Sequence, residues 1–305
     1  MLYPLKLKPV LKDNIWGGKR LASEYGKSKV QDKKTAESWE LTVHKNGVNI
    51  IENGEYANKT LEDLFKSDKS IIAPDYKSDK FPLLIKFIDA EHDLSVQVHP
   101  DDIYAAEHED GELGKTEMWY IIDAAPGAKI VYGLNADYTR EDLQKLIDRG
   151  RFEECLNYIE VKRGEVYFIP AGLVHAIGAG ILIAEVQQNS DTTYRFYDYN
   201  RLDSNGEPRE LHTKQALDVC VKTKTEINIS ESCEYFSAGK IICENGAKAF
   251  DAGDSFASVI CVEGRGEIIH QKNIYKINKG ESYFIPAGSG KFEIRGSFEI
   301  ILTRL

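Results

Sequence analysis

Apolar and polar positions alternate with a period of two along much of this chain, which predicts strands. Leu94-Ser-Val-Gln-Val-His99 puts Leu94, Val96 and Val98 on one face and Ser95, Gln97 and His99 on the other. Gly114-Lys-Thr-Glu-Met-Trp-Tyr-Ile-Ile122 reads as another strand, with Lys115 and Glu117 sharing a face. Pro82-Leu-Leu-Ile-Lys-Phe-Ile88 is a third, in which Lys86 is flanked by apolar residues. Helices are predicted where capping patterns precede a wider apolar spacing. Thr60-Leu-Glu-Asp63 ahead of Leu64 and Phe65 predicts one over about 60–67. Thr139-Arg-Glu-Asp142 opens a helical segment over about 139–158, with Leu143, Leu146 and Ile147 on one face and Gly150 as a stop. TKQALDVC at 213–220 is a third, weaker helix.

A nine-residue block occurs twice, GEVYFIPAG at 164–172 and GESYFIPAG at 280–288. In each copy Gly opens a turn, four residues form a strand, and Pro-Ala-Gly forces the chain around. Three residues past the block, the first copy has His175 and the second has Lys291. The Gly-x5-Pro-x-Gly-x2-His spacing resembles the second motif of the cupin superfamily, whose members are small jelly-roll β-barrels. The expected fold is therefore mainly β, with two cupin-like barrel modules and a small helical insertion in the N-terminal part. Residues 1–227 are expected to form the catalytic, metal-binding module. Residues 228–305 are expected to form a second, metal-free one, serving as a scaffold or as the contact of a homodimer.

Composition narrows the function class. With 49 acidic and 39 basic residues the net charge is −10, against the basic stripe of a nucleic-acid binder. The aromatic run Tyr194–Tyr199 is not read as a nucleic-acid platform for the same reason. No run approaches the length of a membrane span, and the first residues lack the apolar core of a secretory signal. Five cysteines without a CxxC pair read as free thiols in a reducing cytoplasm. An anionic small substrate remains compatible with this charge, provided that a few Lys and Arg residues build its site locally.

The polar face of 94–99 places Gln97 and His99 toward the interior of a barrel, while the apolar face packs outward. Glu117 and His175 come from two further strands. Together the four form a mixed nitrogen and oxygen set suited to zinc, with open positions for water or substrate. A single strand histidine is ordinarily an exposed or satisfied polar residue. The argument for a metal rests on four ligand types converging at cupin spacing.

At this point the chain resembles the type I mannose-6-phosphate isomerases in their short bacterial form. The resemblance rests on Ile15-Trp-Gly-Gly18, Glu37-Ser-Trp-Glu40, Ser95-Val-Gln-Val-His-Pro100, Lys115-Thr-Glu117, the Pro170-Ala-Gly172 block with His175, and the run from Glu185 to Arg201 that contains Thr193-Tyr-Arg-Phe-Tyr-Asp-Tyr-Asn-Arg201. It implies one zinc ion per chain held by Gln97, His99, Glu117 and His175. It further implies catalytic importance for Arg195, with Lys115 and Glu185 in the same cavity as competing candidates for the base. The implied reaction interconverts mannose 6-phosphate and fructose 6-phosphate through a cis-enediolate; for such a substrate Ser95, Lys86 and Arg201 are candidate phosphate contacts and Trp16 is a candidate sugar contact. Two alternatives are an oxidative metal cupin and a non-enzymatic sugar-binding cupin. The first would require His at position 97; the second would not need Lys115, Glu117, His175 and Arg195 to be intact.

Overall fold

The computed structural model describes residues 2–202 and 206–305 of the 305-residue chain. They fall into two compact units. One comprises Met1–Lys12, Lys19–Phe87 and Glu231–Leu305; the other comprises Asp13–Gly18 and Ile88–Ser230. Both are built mainly of antiparallel strands in open sheets, a cupin-like arrangement that does not close into one hydrogen-bonded ring. Among the described residues no helix is long and apolar enough to cross a membrane.

In the unit holding Ile88–Ser230, five short strands form one sheet in the order Leu156–Glu160, Lys129–Leu134, His175–Ile177, Val96–Val98, Tyr194–Tyr197. The strand Glu117–Ala124 pairs with Val166–Ile169 on one side and Ile181–Gln188 on the other. Alternation decides which way each strand faces. Val96, Val98, Val174, Ala176, Tyr194 and Phe196 pack outward into one apolar cluster, which removes their surface from water. Leu143 of the helix Arg140–Asp148 and Ala216 and Leu217 of the helix Thr213–Val219 cover that cluster. The layer against the apolar face is therefore helical. Gln97, His175 and Arg195 of the same strands are left on the opposite, interior face.

The turn grammar of the repeated block holds in both copies. Gly164 and Gly172 have φ of 91° and 84°, and Gly280 and Gly288 have 82° and 78°, a region that L side chains rarely adopt. Between them lie the strands Val166–Ile169 and Ser282–Ile285. Both capping boxes form as expected, Thr60 with Asp63 and Thr139 with Asp142. The helical segment expected over 139–158 is shorter, however. The helix ends at Asp148, Gly150 turns the chain at φ 64°, and after a 3-10 turn at Phe152–Cys155 the strand Leu156–Glu160 begins. Likewise Lys115 lies just ahead of its strand, which starts at Glu117.

In the other unit the long strands Ser237–Ala252, Ala257–His270 and Gly290–Arg304 make a sheet with Asn273–Asn278 and Ser282–Ile285. Leu5–Lys8 adds to it by pairing with Ser282–Ile285, and Ile50–Ile51 pairs with Leu5–Lys8. The C-terminal stretch thus completes its sheet with residues from the start of the chain. A stretch of that length has little core of its own. Lys291, the counterpart of His175, is exposed.

Candidate metal centre and catalytic cavity

Strand register brings the predicted residues into one row. Residues directly opposite each other in an antiparallel pair project from the same face. Gln97 lies opposite Arg195 on one side and His175 on the other, and His175 lies opposite Tyr132. Arg195, Gln97, His175 and Tyr132 therefore line the interior face across four strands. His99 follows Gln97 by two residues, and its carbonyl accepts a hydrogen bond from the Gly172 N–H (2.9 Å). From the other sheet, Glu117 lies opposite Gln187, and Trp119 lies opposite Glu185.

The ligand atoms of His99, Glu117 and His175 all lie within 4.8 Å of one another, and all three residues are buried. His175 Nδ1 is 2.8 Å from the Leu173 carbonyl. A carbonyl only accepts, so Nδ1 carries the proton and Nε2 presents a lone pair. His99 Nε2 is 2.9 Å from Lys115 Nζ, which only donates, so it presents a lone pair too. The two Nε2 atoms are 3.1 Å apart, and Glu117 Oε1 is 3.3 Å from that of His99. Two lone pairs and a carboxylate aimed at each other at these separations are what one cation bonded at about 2.0–2.2 Å requires. The Gln97 amide nitrogen lies beside these three, 3.3 Å from His175 Nε2. The donor set fits a divalent metal with nitrogen and oxygen ligands.

Electrostatics keep these groups in their ligating forms. Burial pushes the His99 imidazole down to about 3, and the Lys115 ammonium acts in the same direction. Burial holds His175 at about 4 against the opposing charge of Glu117. Burial alone would raise the Glu117 carboxyl, but Lys115 and the two imidazoles outweigh it and hold it well below the usual range. Lys115 Nζ lies 2.5 Å from Glu117 Oε1. At neutral pH the imidazoles are neutral and the carboxylate is ionised, as metal binding requires.

A stability prediction follows for metal-free protein. Both imidazoles titrate in the folded state below their ordinary 6.5. The unfolded chain therefore binds more protons as pH falls below about 6.5, and stability is lost down to about 4 through His175 and about 3 through His99. Glu117, depressed in the folded state, adds to the loss as pH falls through the ordinary carboxyl value of 4.5. Two protons correspond to at most about 2.7 kcal/mol per pH unit. Urea unfolding of chelated protein at about pH 7.5, 6 and 5 should show a falling midpoint. Equal midpoints at these three values would contradict the buried neutral imidazoles.

The remaining predicted residues fall into two groups. Arg195 is partly buried, and its Nε has no hydrogen-bond partner among the described residues. Its backbone is clamped by His212, whose N–H donates to the Arg195 carbonyl (2.9 Å) and whose Nδ1 accepts from the Arg195 N–H (3.3 Å). Glu185 is buried, and its Oε2 accepts from the Trp119 indole N–H (2.9 Å). Ser95 is buried just ahead of the strand Val96–Val98. Arg201, by contrast, is taken up by the Asp198 carboxylate and the Asp93 carbonyl. Trp16 is 4% exposed and packs as core. Lys86 belongs to the other unit, where its ammonium is 3.8 Å from Glu37 and faces the Trp39 ring.

Three further residues were not singled out for the site from sequence. Trp119 bridges two carboxylates, His212 clamps Arg195, and Arg209 shares Asp198 with Arg201. The Glu-x-Trp spacing at 117–119 was a usable signal for the first. The others lie in sequence that no periodicity marks.

Comparison with known proteins identifies the family. Residues 4–121 match the family model for the catalytic domain of type I phosphomannose isomerase, and residues 225–305 match the model for the mannose-6-phosphate isomerase cupin domain. The mannose-6-phosphate isomerase ManA of Bacillus subtilis is 41% identical over 316 aligned residues, covering 99% of each chain. A mannose-6-phosphate isomerase of Streptococcus mutans is 38% identical over 99% of this chain and 98% of that one. The crystal structure of a mannose 6-phosphate isomerase from Bacillus subtilis superposes with a TM-score of 0.93 at 38% identity, covering 99% of both chains.

Proposed function

Because the chain belongs to the type I phosphomannose isomerase family, we propose that it interconverts mannose 6-phosphate and fructose 6-phosphate by moving a proton between C2 and C1 of the open-chain sugar. The observation that carries this reading is the buried His99–Glu117–His175 cluster with Lys115 against it. We assign these three residues and Gln97 to one zinc ion per chain. When bound, zinc would supply Lewis-acid stabilisation of the sugar's O1/O2 end.

The chain's own residues supply the rest. A base must take the C2 proton, and the resulting cis-enediolate must be reprotonated at C1. We assign the base to Glu185, a buried carboxylate on the interior face. Lys115, an ammonium paired with Glu117, is the complementary donor for the sugar oxygens. Arg195 presents a planar fork of donors to the negative charge that develops on the enediolate. Its backbone clamp to His212 and its place beside Gln97 in the strand register support that role. Ser95 is our candidate for a phosphate contact. Arg201 is assigned to holding its own turn, and Lys86 and Trp16 are given no part.

We further propose that residues 1–227 are the catalytic module and 228–305 a metal-free scaffold. The cupin-domain match from residue 225 and the exposed Lys291 at the position of His175 support this boundary. The compact units divide the chain differently, placing Met1–Lys12 and Lys19–Phe87 with Glu231–Leu305. Five free cysteines, four of them buried, support a reducing cytoplasm as the location.

The test is conversion of mannose 6-phosphate, with fructose 6-phosphate read by a coupled assay on zinc-loaded protein. Turnover at enzymatic rates is expected. A folded, zinc-loaded protein that converts no mannose 6-phosphate would overturn the substrate assignment.

A further inference from the structure

Trp119 is wholly buried, and its indole carries a single N–H. That hydrogen lies between two carboxylates: Nε1 is 3.0 Å from Glu117 Oε2 and 2.9 Å from Glu185 Oε2. Strand geometry produces both contacts. Residues two apart on a strand share a face, so Trp119 reaches back to Glu117. Cross-strand register sets Glu185 opposite Trp119. The first contact is a local property of Glu-x-Trp in a strand. It recurs at Glu37 and Trp39, where Nε1 donates to Glu37 Oε2 at 2.7 Å. The contact with Glu185 depends on the register between Glu117–Ala124 and Ile181–Gln188. The ring also packs edge-on against His175, with centroids 5.4 Å apart.

Two buried carboxylates near each other repel, and each costs free energy unless hydrogen-bonded. A neutral donor shared between them lowers that cost and fixes the direction each oxygen faces. Indole is donor-only at these pH values, so Trp119 cannot itself carry a proton in the reaction. We propose that Trp119 is a positioning residue that ties the orientation of Glu185 to that of Glu117, and so holds the proton-accepting oxygen in register with the metal centre. This inference rests on the assignment of Glu117 to the metal and Glu185 to proton transfer.

Trp119→Phe keeps an aromatic ring and removes the N–H. The expected result with mannose 6-phosphate is a fall in kcat of about 10- to 100-fold, the loss of one hydrogen bond to charged groups. KM should stay within about twofold, and zinc should remain at about one per chain. In the Glu185→Gln background the same change should add less than about threefold, because Trp119 acts through Glu185. Site-specific replacement of Trp119 by 3-benzothienylalanine, which keeps the shape but has no N–H, should reproduce the kcat loss even if the Phe variant folds poorly. Unchanged kcat in the benzothienyl protein would overturn the proposal, as would full additivity with Glu185→Gln. Failure of the underlying assignment would look different, since Glu185→Gln alone would then leave kcat intact.

Discussion

Replacing His175 with alanine should lower kcat/KM for mannose 6-phosphate by about a thousandfold, the loss of about 4 kcal/mol of transition-state stabilisation. The physical reason lies in the lone pairs. His175 Nε2 is one of two imidazole nitrogens held 3.1 Å apart, and its direction is set by the bond from Nδ1 to the Leu173 carbonyl. Without it, the remaining ligands are one imidazole, one carboxylate and one amide. Metal affinity should fall together with activity, so zinc per chain, measured after gel filtration, should drop well below one. The residue sits in a three-residue strand between Lys129–Leu134 and Val96–Val98, so secondary structure should survive. A His175→Ala protein that keeps both its zinc and its activity would remove this residue from the centre.

The second large effect is expected at Arg195. Arg195→Ala should reduce kcat by about 100- to 1,000-fold, the magnitude for losing a donor aimed at developing oxyanion charge. Zinc content should be unchanged, because Arg195 is Gln97's neighbour in the sheet and not a ligand. Arg195→Lys should recover little, since a point charge cannot reproduce the planar fork. Kinetics and zinc content measured on the same preparations separate this case from that of His175. If Arg195→Ala loses zinc in proportion to activity, the guanidinium is supporting the metal set rather than the enediolate.

Much of the centre was legible because its signals are local. Alternation over 94–99 separates Gln97 and His99 from Val96 and Val98, and the structure keeps that separation with helices on the apolar side. The glycines of the repeated block lie at positive φ, as a turn–strand–turn reading requires. What was missed depends on long-range pairing. Trp119 meets Glu185 only through the register of two directly paired strands, a contact between residues 66 positions apart in the sequence. Leu5–Lys8 joins the C-terminal sheet from the far end of the chain. The pairing of Arg201 with Asp198, three residues back, follows from Tyr199 and Asn200 at φ 56° and 52°, a turn that no sequence periodicity marks. Of the helical segment expected over about 139–158, the helix itself ends at Asp148, ahead of the expected stop at Gly150, and the rest is a 3-10 turn and the strand Leu156–Glu160.

The most direct test titrates zinc into chelated protein while isomerase activity and bound metal are followed together. Activity should be absent without metal, rise in proportion to bound zinc, and saturate at one equivalent per chain. Activity in the chelated protein, or zinc bound at one equivalent without mannose 6-phosphate turnover, would contradict a metal-dependent isomerase centred on His99, Glu117 and His175.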